Sequence, residues 1–187
     1  MLWHYLIVGP WIVFCAYWAV GALKTRRTVS HESLASRAGF ILVELLGYVL
    51  LFSRSAEIGV LGDRVVHHNL AVNVTGVAFT WIGIAIALWA RWHLGQYWSA
   101  RITLKEDHKL IRTGPYAHFR HPIYSGLILA VVGGALEINK WRCVAGVVFI
   151  VVGYWMKARK EETMLAAQFR EAFEEHCRQT GFLIPKF

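Results

Sequence analysis

Arg112, Tyr116, His118, Arg120, His121 and Tyr124 crowd into one short stretch, "LIRTGPYAHFRHPIYSG", residues 110–126. Gly114, Pro115 and Pro122 punctuate it. "TGPY" has the composition of a turn, with Gly114 tolerating unusual dihedrals and Pro115 fixing one. Pro122 suits the first turn of a helix, where unpartnered N–H groups and the helix dipole favour an anion. A loop folded back over that helix start would make a roofed pocket. Tyr116, His118, His121 and Tyr124 would supply aromatic faces and polar tips, and Arg120 a fixed cation. Such a pocket suits a ligand carrying an anion, a flat ring and a positive centre. A plain loop capping a helix fits the same composition. Further on, Lys157 and Glu161 are one helical turn apart. Such pairs are usually surface decoration. At a membrane mouth, however, Glu161 can accept hydrogen bonds from a ligand's amine or ribose, and Lys157 can hold an acidic acceptor. Glu44 interrupts an otherwise apolar run, and an acid within a membrane span is costly enough to suggest a role. An internally hydrogen-bonded Glu44 that fixes helix contacts is the competing reading.

Other chemistries lack their residues. His118 and His121 form one HxxH, and Pro122 pushes His121 out of helical geometry, so no metal site is expected. Neither GxGxxG nor GxxxxGK[ST] occurs, which removes the Rossmann and P-loop modes of holding a nucleotide. Cys15, Cys143 and Cys177 share no CxxC spacing and read as free thiols.

The elements that must position these residues are membrane helices. The chain is 56% hydrophobic. Met1–Leu23 and Asn69–Ala90 contain no charged side chain, and each is long enough to cross a bilayer. Ala38–Ser53 carries only Glu44, and Pro122–Leu136 and Cys143–Met156 are shorter charge-free blocks. Backbone in lipid must bond to itself, so all five are expected to be helices. Of the 20 Lys and Arg, most fall in the segments after the first and third helices and in the tail. That bias predicts five spans, N-terminus outside and C-terminus cytoplasmic. It also accounts for the net charge of +8 without a nucleic-acid partner. The fourth and fifth helices are expected to form a tight hairpin, drawn together by Gly126, Gly133, Gly134, Ala135 and Gly146. The fifth should continue into the cytosol as an amphipathic helix. Leu165, Phe169 and Phe173 would lie on one face, with Glu162, Arg170, Glu174 and Arg178 opposite. Gly181 is a plausible stop. The expected fold is an all-α integral membrane protein forming a single domain over residues 1–187. Residues 1–93 would hold helices 1–3. Residues 94–187 would hold the working core, with its cytosolic loop and closing C-terminal helix.

Three segments of that core carry a family pattern: "LGQYWS", "EDHKLIRTGPYAHFRHPIYSG" and "KEETMLAAQFREAFEEHCRQTGFLIPKF". Together they resemble the isoprenylcysteine carboxyl methyltransferase family of integral membrane methyltransferases, as a prokaryotic member. The resemblance runs from Leu94 to the end of the chain; helices 1–3 match in general character alone. It implies S-adenosyl-L-methionine as cofactor, with S-adenosyl-L-homocysteine as product. It also implies that His108, Lys109, Leu110, Ile111, Gly114, Tyr116, His121, Pro122, Ile123, Tyr124 and Glu161 line the cofactor pocket. Arg120, Lys157 and Glu161 would be catalytic, and Lys157 and Glu44 would meet the substrate. Lys157 stands where the family often has an arginine; it gives a point charge and not a bidentate fork. The implied reaction is methyl transfer to a lipophilic acceptor at the membrane–cytosol boundary. The acceptor would be an isoprenylcysteine-like carboxylate, a thiol or a lipid group, on a small molecule or a prenylated substrate. The expected partner is the lipid bilayer of a prokaryotic inner membrane. The alternatives are an NADPH-dependent sterol-type membrane reductase, whose C-terminal part shares this membrane architecture, and a phospholipid N-methyltransferase. A non-catalytic five-span scaffold is a third alternative.

Overall fold

The computed structural model describes residues 2–22, 28–31, 34–67, 69–98, 103–105 and 109–187. Six α-helices dominate: α1 (Leu2–Ala22), α2 (Leu34–Phe52), α3 (Leu70–Leu94), α4 (Pro122–Ile138), α5 (Trp141–Phe169) and α6 (Glu171–Gln179). Local signals set several boundaries. Asn69 caps α3 by accepting from the Val72 amide, and Gly95, at φ +53°, ends it. Pro122 opens α4, and Asn139 closes it in the left-handed region. Among the described residues, α1, α3 and α5 are long and apolar enough to cross a membrane, while α4 is a shorter apolar helix. The 29 residues of α5 extend about 43 Å, beyond the ~30 Å of bilayer hydrocarbon, so one end must emerge.

The described chain is all-helical, as expected, apart from one short ribbon. Thr28–His31 (β1) and Thr103–Lys105 (β2) form a small antiparallel ribbon. It joins the segments after α1 and α3, which the charge bias assigns to the same side. At the other end, Arg64 bridges Lys140, and the Trp141 amide donates to the Asp63 carbonyl. There Arg142, buried, donates to the carbonyls of Leu50 and Leu51 and pairs with Glu57, which also holds Lys140.

The helices pair α3 with α4 and α2 with α5. Three of the small residues expected to draw α4 and α5 together, Gly126, Gly133 and Gly146, pack on these other seams. A Cβ on Gly126 would lie 2.5 Å from the Gly83 carbonyl, and one on Gly133 2.4 Å from that of Gly76. A Cβ on Gly146 would meet the Gly47 carbonyl at 2.8 Å. Such contacts let backbones approach where lipid gives helices no hydrophobic reason to associate. Thr80, fully buried, donates its hydroxyl to the Gly76 carbonyl. The α4–α5 connection has only Asn139 and Lys140 between the two helices.

The amphipathic extension is also divided. Arg170 takes φ +44°, a costly value for a residue with a side chain, and breaks the run into α5 and α6. Phe173 and His176 of α6 turn inward and are buried. The break turns the final helix and tail back over the loop that precedes α4.

Candidate active site

The loop before α4 folds as its composition suggests. Gly114 takes φ +59°, with the His93 ring from the end of α3 lying where a Cβ would be. His93 Nε2 meets Thr113 Oγ1 at 3.1 Å. Gly114–Ala117 forms a 3-10 turn that buries Pro115 and Tyr116. Burial, and then the negative charge of Glu161, push the Tyr116 phenol well above its ordinary pKa. It remains a protonated donor at neutral pH.

The C-terminal tail completes the loop. Phe119 and Gly181 form a parallel bridge, and the Arg120 and His121 amides donate to the carbonyls of Gly181 and Phe182. Gly181 and Lys186 return amides to the His118 carbonyl, and Ser125 Oγ donates to the Leu183 carbonyl at 2.6 Å. Gly181 belongs to this fold-back: a Cβ there would collide with the Ile184 carbonyl. His118, expected in the pocket, instead lies against Phe187 with ring centres 5.0 Å apart.

Arg120 is clamped. Nε donates to Glu162 Oε1 at 2.5 Å and Nη1 to the Thr180 carbonyl at 2.6 Å, with the Phe182 ring 5.5 Å from the guanidinium. Glu162 was expected on the solvent face of an amphipathic helix. It is 12% exposed and also 3.4 Å from His121 Nε2. The break at Arg170 explains the difference, because α6 and the tail cover that face.

Beside this clamp lies a row of rings. His121 stacks on Tyr124 at 5.5 Å, and Tyr124 stacks on Tyr154 at 5.1 Å. The Tyr124 hydroxyl donates to Glu161 Oε2 at 2.9 Å, and His121 Nδ1 is 3.7 Å from the same oxygen. Lys157 Nζ sits 5.2 Å from the Tyr124 ring centre. Tyr154 shares a hydrogen bond of 3.1 Å with Tyr48 of α2. One turn before Lys157, Gly153 leaves room for Glu44, whose Oε1 is buried with no hydrogen-bond partner among the described residues.

The site therefore gathers Tyr116, Arg120, His121, Pro122, Tyr124, Lys157 and Glu161 where α4 begins and the outer part of α5 passes. Ile123 is buried behind it, Leu110 and Ile111 are half-buried, and Lys109 is exposed. His108 lies outside the described residues. Glu44 is on the adjoining α2–α5 seam. No cluster of three or more metal-ligating side chains occurs among the described residues.

Sequence reasoning missed Glu162, Tyr154, Tyr48, His176 and Arg91. A second acid beside Glu161 was the available sign for Glu162. Arg91 is buried at the end of α3, donating to the carbonyls of Gly95 and Gly21, with its guanidinium 4.4 Å from the Trp98 ring centre. Its place directly after a charge-free run flanked by tryptophans was the only hint.

His176 makes the docking of α6 sensitive to acid. Burial, then the charges of Arg112, Arg120 and His121, lower its pKa from 6.5 to about 4, against the opposing pull of Glu162. The folded state thus refuses a proton that the unfolded chain accepts. Stability is unaffected above about pH 7 and falls between pH 6.5 and 4, by about 3 kcal/mol at the lower limit. Thermal unfolding of detergent-solubilised protein should show this loss in the wild type. His176→Gln should flatten it, and an identical pH profile in both would refute the assignment.

Residues 76–167 match the model of the "Isoprenylcysteine carboxyl methyltransferase (ICMT) family". Among curated proteins, the chain is 31% identical over 108 residues to the "Cobalt-zinc-cadmium resistance protein CzcN" of Cupriavidus metallidurans, covering 56% of this chain and 47% of that one. It is 33% identical over 60 residues to the "Uncharacterized protein YpbQ" of Bacillus subtilis, covering 28% of this chain and 36% of that one. The matches thus span between a third and a half of those relatives' lengths. The family match takes in α4, most of α5 and the loop between α3 and α4, the elements that converge on Tyr124 and Glu161. Over residues 76–167, just under half of the chain, the resemblance to the isoprenylcysteine carboxyl methyltransferase family is thus borne out.

Proposed function

We propose that the chain transfers a methyl group from S-adenosyl-L-methionine to a lipophilic acceptor at the membrane–cytosol boundary. In this reading it has five spans, with the C-terminus cytoplasmic. The convergence of Tyr116, His121, Tyr124 and Glu161 on one corner carries the reading. That corner fits the cofactor's chemistry. The Ile123 and Tyr124 amides precede the first intrahelical bond, from Ser125 N to the His121 carbonyl, and so offer donors to a carboxylate. His121 Nδ1 faces Glu161 Oε2 across this corner at 3.7 Å, while Nε2 faces Glu162 Oε1 at 3.4 Å. The stacked His121, Tyr124 and Tyr154 rings give the corner an aromatic wall against which a flat base and a sulfonium can pack. Glu161, 37% exposed, can accept from an ammonium or a ribose.

When bound, the cofactor supplies an electrophilic methyl on positively charged sulfur. The protein's own residues position and desolvate. Glu161 and Tyr124, joined by their hydrogen bond, fix one wall. The Arg120–Glu162 clamp holds the tail across the loop and excludes water. Lys157 neutralises an acidic acceptor beside the Tyr124 ring. A carboxylate or thiolate acceptor needs no proton removed, so proximity is the main contribution. Glu44, on the same seam with one oxygen unpartnered among the described residues, marks the acceptor's side of the site.

Incubation with radiolabelled methyl donor, with lipid and protein fractions extracted separately, tests this. Label should appear in a lipophilic carboxylate or thiol. Lys157→Ala should raise the acceptor KM about tenfold, the worth of one charge-assisted contact, and leave cofactor affinity unchanged. Absence of label in every lipophilic fraction would refute the reading.

A further inference from the structure

A cavity of about 430 Å³ lies between α1, α2 and the C-terminal half of α4. Its walls are apolar, among them Ile7, Trp11, Leu51 and Val131. A space with such walls excludes water and, within a bilayer, is filled by hydrocarbon. Besides the Trp11 indole N–H, His4, Tyr48 and Glu137 bring polar groups to the lining. The Tyr48 hydroxyl is already engaged with Tyr154. Glu137 is half-buried and makes no hydrogen bond or ion pair among the described residues. Among the described residues, it is the one formally charged residue in the lining. A carboxylate at the rim of a greasy cavity calls for a cation, because a half-buried charge without a partner is costly.

We infer that this cavity is a lipid-binding site. It takes one hydrocarbon chain between the helices and pairs the lipid's primary ammonium head with Glu137. The site is separate from the methyl-transfer corner: Glu137 is roughly 20 Å from Tyr124 along α4. A head held by Glu137 therefore cannot be the methyl acceptor. The inference stands whether or not methyl transfer does.

Gly134 provides a direct test. It lines the cavity, and a Cβ there meets nothing within 4 Å, whereas Gly126 and Gly133 of the same helix are pressed against α3. Gly134→Phe should fill the cavity without disturbing a helix seam. The full chain in neutral detergent, without methyl donor, is titrated with lysophosphatidylethanolamine or lysophosphatidylglycerol while thermal unfolding is followed. The ethanolamine lipid should raise the midpoint about 3 °C more than the glycerol lipid. Glu137→Gln should abolish that difference between heads. Gly134→Phe should abolish the response to both lipids while S-adenosyl-L-homocysteine affinity stays within about twofold of wild type. A wild-type response blind to the head group would overturn the inference, as would an undiminished response in Gly134→Phe. Should Gly134→Phe not fold, the head-group comparison between wild type and Glu137→Gln decides alone.

Discussion

Glu161→Gln should weaken cofactor binding by about 10- to 100-fold while leaving the fold intact, the range expected for losing a charge-assisted hydrogen bond. The glutamine keeps the shape and can still accept from the Tyr124 hydroxyl, now 2.9 Å from the carboxylate. What it loses is the negative charge opposite a cationic ligand. Glu161 is more than a third exposed, so its removal leaves no stranded buried charge, and thermal stability should change little. Calorimetric titration with S-adenosyl-L-homocysteine and a parallel unfolding scan separate the two effects. An unchanged dissociation constant would show that Glu161 does not touch the cofactor.

Arg120→Ala should act through structure. Its guanidinium joins Glu162 to the Thr180 and Cys177 carbonyls, and both charged side chains are nearly buried. Glu162 is then left with His121 Nε2 at 3.4 Å and Arg159 at 3.6 Å, longer contacts for a nearly buried carboxylate, at a cost of about 3 kcal/mol. In a chain of this size that lowers the unfolding midpoint by roughly 10 °C. The tail should detach with it, because Gly181, Phe182 and Leu183 are held on the same loop. Limited proteolysis should then cut near residue 180 in the variant before the wild type. Arg120→Lys should rescue little, since an ammonium lacks the fork that meets carboxylate and carbonyl together. The double variant Arg120→Ala/Glu162→Ala should be more stable than Arg120→Ala alone, because no nearly buried carboxylate is left without its guanidinium. A single variant as stable as wild type would remove the clamp from the account.

What the sequence made legible was local chemistry. Gly114 and Pro115 announce the turn that seats Tyr116, and Pro122 announces the start of α4, because each fixes or frees a dihedral by its own covalent structure. The charge-free runs announce helices. Lys157 and Glu161 share a helix face by spacing alone. Long-range pairing left no such sign. Nothing periodic shows that Gly181 will lie beside Phe119, that Gly47 will meet Gly146, or that Tyr48 will reach Tyr154. The left-handed break at Arg170 was also hidden, since glycine is the usual residue there. That single unread backbone angle moved Glu162 from the expected solvent face to a buried pair with Arg120.

The most direct measurement is calorimetric titration of the purified, detergent-solubilised chain with S-adenosyl-L-homocysteine. Saturable binding at one site, weakened in Glu161→Gln and preserved in Lys157→Ala, is the predicted result. No heat of binding to folded wild-type protein would contradict the claim that the corner of Tyr116, His121, Tyr124 and Glu161 holds a methyl donor.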